Sequence, residues 1–135
     1  MTYLENLGIN AKKAEASIRS ISEKKKNDAL AAIADILTEN ADKIIAANAA
    51  DLENARRNNM SDAMTDRLRL DKKRIEAIAE GVRYVAELPD PVGRILSEKT
   101  LPNGLNIRKI SVPLGVIGII FESRPNVTVD AAAFF

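Results

Sequence analysis

The chain has 135 residues, 46% of them hydrophobic and 29% charged, with a formal net charge of +1. That size and balance point to one globular domain and give no electrostatic reason to expect nucleic acid or an anionic membrane as partner. Cysteine and histidine are absent, which excludes disulfides, thiolate or imidazole metal ligands and histidine-based triads within these residues.

The first residues carry no apolar core of signal-peptide length, and no window is long enough to span a membrane. A cytoplasmic location is expected. Residues 3–20 predict a first helix, because Leu4, Leu7, Ala11, Ala14, Ile18 and Ile21 recur three or four apart, as one buried face requires. Ser22 is a candidate cap for a second helix, with Leu30, Ile33 and Leu37 on one stripe and Ile36 beside it. Asn40 marks a break, after which Ile44, Ile45, Asn48 and Leu52 continue a stripe toward Arg57. Asn58 and Asn59 read as a stop. A short helix is expected over residues 62–68. Asp71 then caps a helix running to about Glu87, with Ile75, Ile78, Ala79, Val82, Val85 and Ala86 on its apolar face. Pro89 and Pro91 end it, since proline lacks the backbone donor that a helix interior needs.

Composition changes near Leu88, from helix formers to Pro, Gly, Val and Ile. Residues 93–112 predict a β-hairpin with strands over 95–101 and 105–112. Between them lies Pro102-Asn103-Gly104, in which both Asn and Gly tolerate positive φ. A lone two-stranded hairpin is marginal, so a further partner is expected for it.

Residues 112–121 are nearly continuous in apolar side chains, interrupted by Gly115 and Gly118. They predict a strand buried on both faces, as in a parallel sheet covered by helices. The two glycines suit close packing against a helix, or a close approach of backbone to a nucleotide. The segment then turns polar through Glu122, Ser123, Arg124, Pro125 and Asn126, and a helix restarts near Thr128. The carboxyl end of a strand in an open α/β sheet is where ligands sit. Asn126 reads either as a turn or capping residue or as an amide donor to a developing oxyanion. Arg124 suits a bidentate clamp on phosphate, or an ion pair with Glu122 or Asp130. Ser123 has no recognisable base partner. No metal site is indicated.

The stretch TLPNGLNIRKISVPLGVIGIIFESRPNVTVDAA resembles the glutamate-5-semialdehyde dehydrogenase (gamma-glutamyl phosphate reductase) family of the aldehyde dehydrogenase superfamily. The helical stretches NAADLENAR and TDRLRLDKKRIEAIAEGVR resemble the same family. The resemblance covers essentially the whole chain but only the opening portion of the family's protein. It implies an α/β, aldehyde-dehydrogenase-like fold: N-terminal helices over residues 1–88, a hairpin over 93–112 serving oligomerisation, and the first strand–turn–helix of an NADP-binding domain over 112–135.

The family reduces L-glutamyl 5-phosphate with NADPH to L-glutamate 5-semialdehyde and phosphate, in proline biosynthesis. A cysteine thiolate displaces phosphate before hydride transfer. The resemblance assigns Asn126 to oxyanion stabilisation and Ile120, Phe121, Glu122 and Ser123 to the NADP(H) surface. It gives Arg124 to the substrate's phosphate or carboxylate. It also implies a homo-oligomer with no nucleic acid or membrane partner. The family's cysteine lies downstream of these residues, so the 135 residues alone are expected to be an inactive fragment. A non-catalytic interaction module, or a nonfunctional remnant, is the alternative.

Overall fold

Six helices and one two-stranded hairpin are present among residues 2–122 and 124–134, the positions that the computed structural model describes. The chain divides into two compact units, Met1–Glu23 with Pro89–Ile117 and Lys24–Leu88 with Gly118–Phe135.

In the first unit, helix α1 spans Tyr3–Ile18. Thr2 and Glu5 form a reciprocal capping box: the Thr2 N–H donates to Glu5 Oε2 at 2.6 Å, and the Glu5 N–H donates to Thr2 Oγ1 at 3.3 Å. The cap satisfies two backbone donors left free by helix geometry. The expected apolar stripe is present, but no residue of α1 is buried, and Leu4, Leu7 and Ile18 are exposed. Periodicity fixes which side chains share a face; burial needs another element to cover that face.

Strands β1 (Ile95–Thr100) and β2 (Asn106–Ile110) pair antiparallel, with Lys99 opposite Ile107 and Glu98 opposite Arg108. The register shifts between Ile95 and Ser97, so β1 carries an extra residue there. The loop differs from a two-residue Asn-Gly turn. Gly104 donates to the Leu101 carbonyl at 2.9 Å, and Leu101 donates to the Leu105 carbonyl at 2.8 Å. Gly104 has φ of 84°, while Asn103 does not share the positive φ. Its side-chain oxygen instead accepts the Leu105 N–H at 3.1 Å. This is a three-residue loop whose last position needs glycine.

The expected strand over residues 112–121 does not form. No ladder partner takes its backbone, and its side chains are exposed rather than buried, with Leu114 at 82% and Ile120 fully open. A strand satisfies its N–H and C=O groups through neighbours, and among the described residues the sheet consists of β1 and β2 alone. The close-packing role given to Gly115 and Gly118 is not met either, since no atom lies within 4 Å of a Cβ built at either position. Gly115 instead answers a local need, with φ of 92°.

The second unit is helical and contains the core. Helix α2 (Glu23–Glu39) stops where Asn40 bonds back, its Nδ2 donating to the Ile36 carbonyl at 2.9 Å. Helix α3 (Ala41–Arg57) follows at once. It ends as Asn58 and Asn59 foretold. Asn59 takes φ of 53°, its N–H reaches the Arg56 carbonyl at 3.1 Å, and Met60 N–H reaches the Ala55 carbonyl at 2.9 Å. Those two bonds and a left-handed residue make a Schellman cap, for which Asn is the usual substitute for Gly.

Helices α4 (Asp62–Leu68) and α5 (Lys72–Glu87) start at Ser61 and Asp71, whose side chains accept the N–H groups of Met64 and Arg74 at 3.4 and 2.8 Å. Ala34 of α2 and Ala79 and Val82 of α5 form the buried centre. Leu30, Ile33 and Leu37 pack on it from α2, and Val129 and Ala133 from the last helix, α6 (Asn126–Phe134). Ile36, off the stripe, is exposed. An ion pair between Arg83 and Asp35 at 2.9 Å bridges α2 and α5.

Candidate functional site

Helix α6 begins at Asn126, two residues earlier than the sequence pattern indicated. Asn126 is therefore the first helical residue, not the cap before it. Its side chain is partly buried, and Nδ2 donates to Oδ2 of Asp130 at 2.8 Å. The two lie four apart, on one face of the helix. An ionised carboxylate only accepts, so it fixes which end of the amide faces it. One of the two amide N–H donors is thus held.

Asp130 was open as a partner for Arg124. It takes Asn126 instead, and Arg124 is exposed with no ion pair among the described residues. Ile120 is fully exposed, Phe121 is 47% exposed and Glu122 is exposed. Ser123 lies outside the described residues. The segment offers open apolar side chains that a flat ring could cover, which fits the nicotinamide end of a cofactor. No groups that would hold a dinucleotide's phosphates are identified among residues 120–122.

Asn126 and Asp130 border an open hollow of about 500 Å³. It is lined by the apolar Leu70, Ala77, Ile78, Gly81 and Pro125 and by the charged Asp66, Arg67, Arg69 and Arg74. Arg74 is committed to the scaffold. Its Nη2 meets Asp66 Oδ1 at 2.9 Å, and its Nη1 donates to the carbonyls of Arg69, at 2.9 Å, and of Asp66.

The loop between α4 and α5 is also gripped from inside. Asn48 of α3 is 4% exposed; its Nδ2 donates to the Leu68 carbonyl at 2.9 Å, and its Oδ1 accepts the Leu70 N–H at 2.7 Å. Sequence reading put Asn48 on an apolar stripe without seeing that its amide clamps a loop twenty residues away. It also gave no role to Arg67, Arg69 or Arg74. A polar residue on an otherwise apolar helical stripe was the available signal for Asn48, because a buried amide requires partners.

Among the described residues no three Asp or Glu side chains are arranged to hold a metal ion. No helix among the described residues is long and apolar enough to cross a membrane.

No family model matches the chain. It is 57% identical over 123 residues to the gamma-glutamyl phosphate reductase of Thermobifida fusca, covering 91% of this chain and 29% of that protein. It is 54% identical over 131 residues to the enzyme of the same name from Lachnospira eligens, covering 97% of this chain and 32% of that protein. The chain therefore spans about three-tenths of the length of the curated relatives it matches. Crystal structures of gamma-glutamyl phosphate reductase from Thermotoga maritima and Saccharomyces cerevisiae match 98% of this chain with a TM-score of 0.93 at 36% identity. They share 32% and 34% of their own length with it. The aldehyde-dehydrogenase-like fold class expected from the sequence stands on that match.

Proposed function

We propose, from its homology to part of the gamma-glutamyl phosphate reductases, that this chain supplies the opening portion of an NADPH-dependent enzyme of proline biosynthesis. The reaction converts L-glutamyl 5-phosphate to L-glutamate 5-semialdehyde and phosphate. The observation that carries the reading is 57% identity to one such reductase together with a TM-score of 0.93 to two solved ones.

When bound, the cofactor supplies hydride to the acyl carbon. This chain's own residues orient and polarise. Asn126, with one amide N–H held by Asp130 at 2.8 Å, offers the other to the acyl oxygen as negative charge develops on it. A donor fixed before reaction needs no reorganisation at the moment of reaction. Ile120 and Phe121 cover the cofactor's ring, with Glu122 beside them. Arg124 meets the substrate's phosphate or carboxylate. The thiol nucleophile comes from outside these 135 residues, which contain no cysteine. The same reading assigns the reductase to the cytoplasm and to a homo-oligomer joined through the hairpin.

The test is Asn126→Ala in an intact reductase carrying this segment. Turnover is expected to fall roughly 10²–10³-fold, the cost of losing one oxyanion donor. Near-normal turnover with lowered thermal stability would leave Asn126 as a helix-start residue and remove it from the chemistry.

A second reading, a non-catalytic interaction module, draws on a different observation: β1 and β2 are exposed along their whole length. Such edges can extend the sheet of another chain. Capture of full-length reductase that is lost on deleting residues 93–112 would favour it.

A further inference from the structure

We propose that the hollow beside Asn126 is an anion-binding site in which Arg67 and Arg69 receive the carboxylate or phosphate group of a small ligand. The proposal deepens the reading above and rests on it for the ligand's identity.

The charges in the hollow do not balance. Five ionisable side chains border it: Arg67, Arg69, Arg74, Asp66 and Asp130. Asp66 is taken by Arg74 at 2.9 Å, and Asp130 accepts the Asn126 amide at 2.8 Å. Neither Arg67 nor Arg69 makes an ion pair among the described residues. Three arginines against two aspartates leave the lining with a net charge of +1, since a neutral amide does not cancel Asp130, and Arg67 and Arg69 line a concave space of about 500 Å³ beside Asn126. Guanidinium forks match the geometry of planar carboxylates and of phosphate oxygens, and charge-assisted bonds of this kind are the strong ones.

The backbone carrying the pair is held from two sides. Asn48 grips Leu68 and Leu70, the residues that flank Arg69, from the buried side. Arg74 holds the carbonyls of Asp66 and Arg69. A solvated pair of surface arginines needs no such bracing. A binding site does, because fixing its geometry in advance lowers the ordering cost of binding. The sources that share this chemistry are a phosphoryl group, an amino-acid carboxylate and the phosphates of a dinucleotide.

The test titrates the isotope-labelled 135-residue chain at low ionic strength with inorganic phosphate, L-glutamate or NADP⁺, with chloride as the control. The side-chain resonances of Arg67, Arg69 and Asn126 are followed. Saturable shifts are expected, weakened about tenfold or more in the Arg67→Gln/Arg69→Gln double variant, as loss of charge-assisted contacts requires. Arg57→Gln, which removes a cation paired with Glu53 at 3.3 Å on α3, is expected to change the response less than about twofold. A response to phosphate, to glutamate or to NADP⁺ alone identifies the source.

Arg67→Lys keeps the charge and separates a lost site from a lost fold: it is expected to retain part of the binding. No saturable shift with any probe, an unchanged response in the double variant, or equal displacement by chloride would overturn the proposal. The two readings fail separately. Absent binding alongside a large Asn126→Ala effect on turnover removes the anion site alone. Intact binding alongside normal turnover of Asn126→Ala removes the oxyanion role alone.

Discussion

The two units treat similar apolar side chains in opposite ways. Every buried residue described belongs to the helical unit: Ala34, Asn48, Ala55, Ile75, Ala79 and Val82. In the other unit Leu4, Leu7, Leu96, Leu105 and Leu114 are all exposed. The difference follows from where each element finds its hydrogen bonds. A helix closes its own backbone ladder and then needs only a neighbouring helix to cover one stripe. A strand must borrow its partners, and residues 112–121 have none among those described.

The largest expected effect comes from a pair of substitutions that sets the helical core against the uncovered apolar segment after the hairpin. Ile75 is 2% exposed and Ile120 fully exposed. Ile75→Ala is expected to lower unfolding stability by about 2–5 kcal/mol through lost burial and a residual cavity. Ile120→Ala is expected to stay within about 0.5 kcal/mol. Urea unfolding of both variants measures the contrast; equal losses would mean that Ile120 is covered in solution.

A smaller effect is expected at Asn48. Its replacement by Ala leaves the Leu68 carbonyl and the Leu70 N–H without their partners, at a cost of about 1–3 kcal/mol for an unsatisfied buried group. Amide exchange at Leu70 should accelerate in the same variant, because that N–H donates directly to Asn48 at 2.7 Å. Unchanged exchange there would show that the loop holds its shape without the clamp.

What was legible in the sequence follows the same division. The bounds of α4 and α5 were readable because their signals are local: Ser61 and Asp71 cap within three residues, and the Asn58-Asn59 stop closes on the turn before it. The hairpin was readable from Pro102-Asn103-Gly104, although the loop is one residue longer than Asn-Gly alone implies. The strand over residues 112–121 was misread because apolar content reports a preference for burial and not the presence of a partner. The buried stripe on α1 failed for the same reason.

At the site, the residue type and place of Asn126 were legible. Its bond to Asp130 was not read from the sequence, which offered Asp130 only as a partner for Arg124. The arginines of the hollow were not legible, since Arg67 of α4 and Asn126 of α6 border one hollow although more than fifty residues of chain separate them. No local pattern encodes such a meeting.

The smallest expected effect tests the exposed unit alone. Glu98 on β1 accepts from Asn106 Nδ2 at 2.7 Å and from Arg108 Nε at 2.9 Å, through the same oxygen. The Asn106 hydrogen bond first and the Arg108 guanidinium second hold its pKa below the ordinary 4.5. A carboxylate with a lower pKa in the folded than in the unfolded chain adds stability above the unfolded value and loses it as pH falls through the folded one. The contribution of Glu98 to the hairpin is therefore expected to be present at neutral pH and to fade below about 4.5. Glu98→Gln should loosen β1 against β2 at neutral pH, seen as faster amide exchange at Ile107, whose N–H faces Lys99 across the ladder, and the gap from the parent chain should close in acid. A Glu98 titration at or above 4.5 would show that the cross-strand pair does not persist in water, where an exposed pair competes with solvent at every moment. That result would widen the contrast between the units, leaving the hairpin held by its backbone ladder and the Gly104 loop without help from its side chains.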